Sequence, residues 1–263
     1  MELGLRGRGA IVAAASSGLG KAVAEELARE GAEVAICSRN AAAIDRAASE
    51  IEKSTGRRVH AQVCDVTRYE AIKAFVDDAE RRVGHIDICV TNSGGPPSKK
   101  FAETSAEEWR AAVDLLLMST VHFAKEVLPR MQRRRWGRFI TITSQAVKQP
   151  INGLVLSNSI RAAVTGLART LANEFGADGI TVNNVCPGYT ATDRLMGLSQ
   201  AQAKIFSTTQ EKIIEGWAAE VPVKRIARAD EFAACVAFLA SERASYINGS
   251  SIAVDGGWIR SLL

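Results

Sequence analysis

Three polar side chains near the middle of the chain have residue types and spacing that suit a shared site. Ser157 and Arg161 lie four residues apart in a segment with helical periodicity, and Ser144 ends an apolar run thirteen residues before Ser157. Residues four apart share one face of a helix, so these two side chains point the same way. A serine hydroxyl is a poor acid near neutral pH, and arginine stays protonated. Arg161 therefore supplies a fixed charge and a fork of donors, suited to sugar hydroxyls or an acidic substrate rather than to proton relay.

A glycine-rich turn near the N terminus is a second candidate site. The segment AAASSGLGKAVAEEL follows the first apolar run and contains Gly18 and Gly20. Such glycines permit a tight turn, and the helix that follows presents its N-terminal amides to a phosphate group. A glycine pair alone is weak evidence, because many strand-to-helix turns use glycine for geometry only. Its position directly after the first apolar run favours a nucleotide site.

The end of the second apolar run bears on which nucleotide is bound. Ser38 and Arg39 stand where a carboxylate would hydrogen-bond the ribose hydroxyls of NAD. Arg39 can instead pair with a 2′-phosphate, and a charge-assisted contact of this kind contributes about 1.5–3 kcal/mol. The sequence therefore predicts NADP, with NAD as the less favoured cofactor. The alternative interpretation of Arg39 is a solvated loop residue.

The elements that must position these residues are strands and helices in alternation. Helical segments such as 20–31 and 71–84 separate short Val/Ile-rich runs, which are typical of strands buried on both faces. TSAE at 104–107 predicts a capping box that opens a long helix, with Thr104 as the cap. The apolar runs span 9–14, 33–38, 58–65, 86–93, 138–144, 180–187 and 251–257. This alternation predicts an α/β protein: a single domain over residues 1–263, with a Rossmann-like, doubly wound parallel sheet of about seven strands and helices on both faces.

One long excursion, residues 193–221, has no strand of its own. Its apolar residues alternate with polar ones, and two interpretations stay open: an amphipathic helix pair that packs on the sheet, or an apolar lid over an acyl or other greasy substrate. The apolar residues are Leu195, Met196, Leu198, Ile205, Phe206, Ile213, Ile214 and Trp217.

Composition excludes several classes of function. The 263 residues are 47% hydrophobic and 24% charged with a net charge of +4, which is ordinary for a globular protein. The run Arg133–Arg135 has no interleaved aromatic residues, so we expect no nucleic-acid partner. Without a signal peptide or an 18-residue apolar run, we expect a cytoplasmic protein with no membrane partner. The five cysteines are interpreted as free thiols. The three histidines do not have the spacing of metal ligands, so we expect no metal site.

The motifs, taken in order, resemble the short-chain dehydrogenase/reductase family nearly end to end. AAASSGLG is similar to the family's glycine-rich turn, with Ala13 and Ala14 in place of Thr-Gly. VCDV resembles the adenine-contacting segment, TNSGG the segment along the cofactor, and CPGYTATD the turn around the nicotinamide. VDGG (254–257) is similar to a C-terminal strand that often packs at a tetramer interface. The resemblance implies that the cofactor-binding residues are Ser16, Ser17, Gly18, Leu19, Gly20, Ser38, Arg39, Asp65, Val66, Asn92, Ser93, Gly94, Arg161, Pro187, Gly188, Thr190 and Thr192.

The family's catalytic pattern is broken in this chain. Family members usually reduce a carbonyl with Asn, Ser, Tyr and Lys, and Ser144 matches that Ser. Ser157 stands at the Tyr position, Arg161 at the Lys position and Leu116 at the Asn position. The resemblance therefore implies a non-standard catalytic set that includes Ser144, Ser157 and Arg161.

A replacement proton donor has two further candidates besides water and Ser157. Tyr189 lies inside the Pro-Gly turn, and Lys148 lies four residues past Ser144. We include Tyr189 in the predicted catalytic set, and the alternatives are packing beside the cofactor for Tyr189 and solvation for Lys148.

The resemblance implies an NADP(H)-dependent oxidoreductase that acts on a carbonyl or hydroxyl substrate, similar to 3-oxoacyl-[acyl-carrier-protein] reductases. Its substrate would be a small molecule or an acyl thioester, and its assembly a homotetramer or a homodimer. The alternative is a catalytically silent NADP(H)-binding sensor or partner subunit, because the missing Tyr and Lys affect chemistry more than binding.

Overall fold

A seven-stranded parallel sheet forms the centre of the computed structural model, which describes residues 2–262. The strands of this range are β1 (Gly9–Val12), β2 (Glu33–Ser38), β3 (Val59–Val63), β4 (Ile88–Thr91), β5 (Gly137–Ile142), β6 (Ile180–Pro187) and β7 (Ser251–Val254). Their order across the sheet is β3-β2-β1-β4-β5-β6-β7. The chain reverses its direction across the sheet between β1 and β4, and ligands of such sheets bind beside the carboxyl ends of the strands at this point.

Helices cover both faces of the sheet, which confirms the predicted doubly wound α/β fold. The α-helices of the described range are α1 (Gly18–Arg29), α2 (Ala41–Thr55), α3 (Tyr69–Val83), α4 (Ala106–Ala112), α5 (Ser119–Arg134), α6 (Val155–Phe175), α7 (Asp193–Ile205), α8 (Gln210–Glu220) and α9 (Ala229–Ala240).

Successive strand residues enter two different cores, because side chains alternate across a strand. Val12 of β1 is buried in the core that contains Phe232 of α9. The preceding residue, Ile11, is buried in the core that contains Phe75 of α3 and Phe123 of α5. Each such side chain contributes about 1.5–3 kcal/mol when fully buried. The two cores thus lie against the sheet, and the loops that follow the strands begin at its carboxyl edge.

The capping box before α4 begins one residue later than predicted. Ser105 Oγ accepts a hydrogen bond from the Glu108 amide at 3.2 Å, and Glu108 Oε2 accepts one from the Ser105 amide at 3.0 Å. Thr104 instead donates to the carbonyl oxygen of Phe101 and accepts a bond from Trp109 Nε1. The prediction of Thr104 as the cap is therefore wrong. The sequence TSAEE allows two capping boxes, one from Thr104 to Glu107 and one from Ser105 to Glu108. The structure has the second, and in it the Thr104 hydroxyl is bonded to Trp109.

The long helix that follows this cap is interrupted. A π-helical turn at Val113–Met118 joins α4 to α5, and it contains the buried Leu116. The extra residue in such a turn rotates the side chains beyond it relative to those before it. The π-helical turn places Leu115 in the lining of the cleft described below.

The excursion between β6 and α9 contains two helices, α7 and α8, and no strand, as the apolar pattern predicted. The side chain of Gln210 joins them, because its Nε2 donates to Ser199 Oγ at 2.8 Å and to the carbonyl oxygen of Met196 at 3.3 Å. Trp217 is buried, whereas Ile205 and Phe206 at the end of α7 are exposed. None of the helices between residues 2 and 262 is both long enough and apolar enough to span a bilayer.

Candidate functional site

A cleft of about 620 Å³ opens at the carboxyl ends of β1 and β4. It lies at the point where the strand order reverses, as expected for the ligand site of such a sheet. Fifteen of the sequence-predicted site residues line it: Ser16, Ser17, Gly18, Leu19, Ser38, Arg39, Val66, Asn92, Ser93, Gly94, Ser144, Ser157, Arg161, Pro187 and Thr192. Five predicted residues are not in its lining: Gly20, Asp65, Gly188, Tyr189 and Thr190.

The glycine-rich turn is tightly constrained at Gly20. A Cβ added there would lie 2.6 Å from the carbonyl oxygen of Ala14 and 2.9 Å from Asn92 Nδ2. Asn92 Nδ2 donates to that same carbonyl oxygen at 3.2 Å and so ties the turn after β1 to the loop after β4. Gly18 has a φ of +57°, a conformation that glycine adopts without steric cost. Gly20 does not line the cleft, but its lack of a side chain lets the turn and Asn92 pack closely and so affects the shape of the cleft.

The N terminus of α1 is available to an anion. Ser17 occupies the cap position, but its side chain makes no capping hydrogen bond, and the first turn of α1 contains no acidic residue. The first amides of a helix lack partners within the helix and carry the positive end of its dipole. Since Ser17, Gly18 and Leu19 line the cleft, a phosphate group fits here.

At the end of β2, Arg39 lines the cleft and makes no ion pair within residues 2–262. The two residues that flank it are engaged locally, because Ser38 Oγ donates to the carbonyl oxygen of Asn40 and Asn40 Oδ1 caps α2. Arg39 therefore lines the cleft with its guanidinium in no ion pair within residues 2–262, and Asp65 is a nearby opposite charge.

Asp65 stands beside the cleft instead of in its wall. Burial by itself would raise the pKa of this carboxyl, but two hydrogen bonds from Thr67 and the nearby Arg39 charge lower that pKa below its usual range. Its neighbours Cys64 and Val66 line the cleft. The sequence analysis did not predict Cys64 as a lining residue, because it interpreted this cysteine only as a buried free thiol.

Ser144, Ser157 and Arg161 lie in one wall of the cleft. Arg161 Nε donates to Ser157 Oγ at 3.2 Å, and its Nη1 donates to the carbonyl oxygen of Ile142 at 3.1 Å. Ser144 Oγ accepts a bond from the Ala146 amide at 3.1 Å. Burial, followed by the charge of Arg194, lowers the pKa of Arg161 to about 10. This guanidinium still stays charged at neutral pH and cannot relay a proton.

Tyr189 does not join these residues. Its ring stacks on Trp217 with centroids 5.1 Å apart and meets Trp258 edge-on, and its hydroxyl donates to Glu220 Oε2 at 3.4 Å. Burial and the nearby Glu220 carboxylate raise the pKa of Tyr189 to about 12. The structure therefore assigns Tyr189 to packing, and the prediction that places it in the catalytic set is not supported by its position. Lys148 is likewise absent from the cleft lining.

Gly188 and Thr190 shape the turn after β6 without lining the cleft. A Cβ on Gly188 would lie 2.6 Å from the Cα of Asp255, and the buried Thr190 donates to the carbonyl oxygen of Gly188. Thr192 does reach the cleft, and its hydroxyl caps α7 by accepting a bond from the Leu195 amide. The turn therefore fixes where α7 begins.

Sequence reasoning missed several lining residues, most of them apolar, and two of them, Asp193 and Arg194, are charged. Arg194, at the start of α7, lines the cleft and donates from Nη2 to the carbonyl oxygen of Pro96 at 3.2 Å. The available signal was a cation directly after the TATD motif, at the start of an otherwise apolar excursion. The other missed lining residues are Ala14, Asn40, Cys64, Gly95, Pro96, Leu115, Ile142, Thr143, Leu154, Asp193 and Leu198.

A second, small cavity of about 10 Å³ lies behind Arg161. Its lining includes the hydroxyls of Ser119, Thr120 and Thr143 together with the buried Leu116. Its volume is at the lower limit for one water molecule. Within residues 2–262, no group of three or more His, Cys, Asp or Glu side chains is arranged to hold a metal ion.

Comparisons with a family model, with curated relatives and with solved structures all point to the same family. The family model described as enoyl-(acyl carrier protein) reductase matches residues 13–259. The chain is 32% identical over 259 residues to the 3-oxoacyl-[acyl-carrier-protein] reductase FabG of Pseudomonas aeruginosa, covering 98% of this chain and 100% of that protein. It also superposes on L-sorbose reductase from Gluconobacter frateurii, complexed with NADPH and L-sorbose, with a TM-score of 0.95 and 32% identity over 100% of both chains.

A third relative is described by its catalytic center. An NADPH-bound short-chain oxidoreductase from Pseudomonas aeruginosa PAO1, described as containing an atypical catalytic center, matches with a TM-score of 0.87 and 31% identity over 96% of both chains. The matched family model, the identity to curated relatives and the shared sheet agree over nearly the whole length. The chain belongs to the short-chain dehydrogenase/reductase family of oxidoreductases.

Proposed function

We propose that this protein is an NADP(H)-dependent oxidoreductase that interconverts a carbonyl and a hydroxyl group. The observation that carries the proposal is a single cleft that joins an uncapped helix N terminus at Gly18, an unpaired Arg39, and the Ser144, Ser157 and Arg161 side chains. The first two features suit phosphate groups, and the last three suit a polar reacting group. The NADPH in the similar L-sorbose reductase structure supports the same cofactor here.

The residues present fit a phosphorylated dinucleotide. Gly20 leaves no room for a side chain, so the turn keeps its backbone close to the cleft. Ser16, Ser17, Gly18 and Leu19 would hold the diphosphate, and Arg39 with Ser38 the 2′-phosphate. The remaining predicted contacts are Val66 and Asp65 for adenine, Asn92, Ser93 and Gly94 along the cofactor, and Arg161, Pro187 and Thr192 at the nicotinamide end.

The proposed chemistry depends on how Arg161 holds Ser157. NADPH, when bound, supplies a hydride. Because Arg161 Nε donates to Ser157 Oγ, that oxygen acts as the acceptor and its own hydrogen remains free to bond a substrate oxygen. Ser144 would orient the same oxygen, and the Arg161 charge would stabilise negative charge that develops there. The proton would come from Ser157 backed by water, since the phenol of Tyr189 is engaged elsewhere.

Restoring the family residues tests this chemistry. We expect the double variant Ser157→Tyr with Arg161→Lys to reduce ketones and 3-oxoacyl thioesters faster than the parent. The physical reason is that a phenol is a far better proton donor than an alcohol, and general-acid catalysis typically contributes about 10²–10⁴-fold. The measurement is NADPH oxidation followed by absorbance. Adding Ser144→Ala to the double variant should remove the gain, whereas no gain on any compound would contradict the proposed role of these positions.

A second test addresses the cofactor. We expect Arg39→Ala to weaken NADPH binding about tenfold or more, because the variant loses a charge-assisted bond of about 1.5–3 kcal/mol. NADH binding should change little. Arg46→Ala is a matched control, because Arg46 is exposed on the neighbouring α2 and does not line the cleft. Calorimetric titration measures the affinities of the parent and of both variants for NADPH and NADH, and an equal loss for NADH would show that Arg39 does not recognise the 2′-phosphate.

A catalytically silent NADP(H)-binding protein is the second candidate. The observation that favours it is that, within residues 2–262, no Tyr, His or Lys side chain lines the cleft. Tight NADPH binding with no turnover on any carbonyl compound, in both the parent and the double variant, would support this candidate.

Three further points belong to the proposal. The helices α7 and α8 within 193–221 act as a lid on a single domain that spans 1–263. The relatives favour an acyl or other small carbonyl substrate. The strand with VDGG favours a homotetramer or homodimer, and light scattering measures that state.

A further inference from the structure

Two arginines in the cleft have no acidic partner. Arg161 donates only to neutral oxygens, Ser157 Oγ and the carbonyl oxygen of Ile142. Arg194 donates to the carbonyl oxygen of Pro96 at 3.2 Å and forms no ion pair within residues 2–262. By contrast, Arg130 and Arg225 each pair with carboxylates. The charges of Arg161 and Arg194 are therefore uncompensated by the part of the chain that the structure describes.

The two guanidinium groups also line the same cleft. Burial, followed by the positive charge of Arg194, lowers the pKa of Arg161, as expected for two like charges in one cleft. Like charges near a partly buried site are unfavourable, so an anion between them would offset both the repulsion and the loss of water. Asp193 also lines the cleft, but within residues 2–262 it forms no ion pair with either arginine. The Nη2 atom of Arg161 has no hydrogen-bond partner within residues 2–262, so both of its hydrogens can bind a ligand.

The cleft places this pair beside the proposed reacting group. Arg161 contacts Ser157, and both line the same wall as Ser144. Arg194 reaches from α7 to the loop after β4, so it spans the cleft from the side of the excursion. Guanidinium groups bind carboxylates in a planar, two-bond geometry that an ester does not match.

We propose that Arg161 and Arg194 together bind an anionic group of the substrate, so that this protein takes a small oxo acid or hydroxy acid in place of a neutral acyl thioester. The inference rests on the proposed function, because Ser144 and Ser157 must hold the carbonyl or hydroxyl oxygen of the same molecule. Arg194 is a specificity-determining residue in this arrangement.

Ligand titration separates this inference from the proposed function. Pyruvate, acetoacetate and 2-oxoglutarate are titrated, each beside its methyl ester, into the NADPH-bound protein and into the protein alone, with calorimetry as the readout. We expect at least one acid to bind about tenfold or more tightly than its ester, which corresponds to about 1.4 kcal/mol. This preference should weaken with added salt.

Three variants identify the cause of that preference. Arg194→Gln should lose about tenfold in affinity for the acid, with unchanged affinity for the ester and for NADPH, a loss of the size expected for one charge-assisted bond. Arg194→Lys should recover part of the loss, because it keeps the charge. Lys204→Gln removes an exposed charge from the other end of α7 and should change nothing.

Two outcomes overturn the inference. One is equal binding of all three acids and their esters. The other is a loss of NADPH affinity in Arg194→Gln with the acid unaffected, which would assign Arg194 to the cofactor. Failure of NADPH to bind the parent would overturn the proposed function alone, because the titrations of the protein without cofactor still measure the anion site.

Discussion

Ala14 lies in a backbone conformation that usually requires glycine. Its φ is +49°, and its carbonyl oxygen accepts the Asn92 hydrogen bond that ties two loops of the cleft together. The resemblance places glycine at this position in related proteins, so the sequence pointed to the departure but not to its backbone conformation. A left-handed conformation costs a non-glycine residue about 1–2 kcal/mol. Two contacts of the Ala14 carbonyl oxygen maintain this strained conformation: the close approach of Gly20 and the hydrogen bond from Asn92.

We therefore expect Ala14→Gly to stabilise the protein. Relief of about 1–2 kcal/mol of strain should exceed the about 0.4–1 kcal/mol by which glycine favours the unfolded chain. Urea unfolding should show a net gain of about 0.5–1 kcal/mol. Ala15→Gly is the matched control, because Ala15 is buried and has no positive φ, and it should destabilise. A loss of stability in Ala14→Gly would show that the methyl group contributes more packing than the turn costs.

At the scale of elements, α7 and α8 are joined by one buried polar contact. Ser199 is fully buried, donates to the carbonyl oxygen of Met196 at 2.7 Å and accepts from Gln210 Nε2 at 2.8 Å. The N-terminal end of α7 is anchored by the Thr192 cap and carries Arg194 into the cleft. The position of α7 over the cleft thus depends on a contact at Ser199, which follows Arg194 by about one and a half helical turns.

Gln210→Ala should loosen this pair of helices. The variant leaves the buried Ser199 oxygen without its donor, which costs about 1–3 kcal/mol if water does not replace the amide. Amide hydrogen exchange in α7 should accelerate while exchange in the β-sheet stays slow. Gln200→Ala provides the comparison, because Gln200 is an exposed residue of the same helix. Unchanged exchange in α7 would show that the apolar contacts around Trp217 hold the pair without Gln210.

At the scale of the whole molecule, paired carboxylates set the response to acid. Hydrogen bonds from Arg225 and from the Arg228 amide lower the pKa of Glu231, at the start of α9, to about 2. Asp77, Glu108 and Asp230 also have pKa values below their ordinary range, each chiefly because of a hydrogen bond from a Lys or Arg side chain. A carboxyl whose pKa falls on folding stabilises the native state above its unfolded pKa. That contribution disappears as the pH drops through the folded value.

Stability should therefore fall between about pH 4.5, the ordinary value for Glu231, and about pH 2. Glu231→Gln should destabilise the protein at pH 7, and its difference from the parent should shrink as the pH approaches 2. Urea unfolding at pH 7, 4 and 3 measures the trend. Glu215→Gln is the control, because Glu215 is exposed and forms no ion pair within residues 2–262. A difference for Glu231→Gln that stays constant with pH would contradict the linkage.

The sequence by itself determined the alternation of strands and helices, the glycine-rich turn, and the placement of Ser157 and Arg161 on one helical face. These features depend on neighbours within a few residues, and hydrophobic periodicity records them directly. The alternative register at Ser105 shows the limit of this reasoning, since TSAEE satisfies the capping pattern twice.

Only the tertiary structure decided which distant side chains share the cleft. It brought Arg194 of α7 opposite Pro96 and near Arg161, and it packed Tyr189 between Trp217 and Trp258, outside the cleft. Each of these contacts joins segments that lie tens of residues apart in the sequence. The hydrophobic periodicity of the two segments therefore does not predict the contact. The physical reason is that such contacts arise from the packing of helices on both faces of the sheet, which determines where each loop and its side chains finally lie.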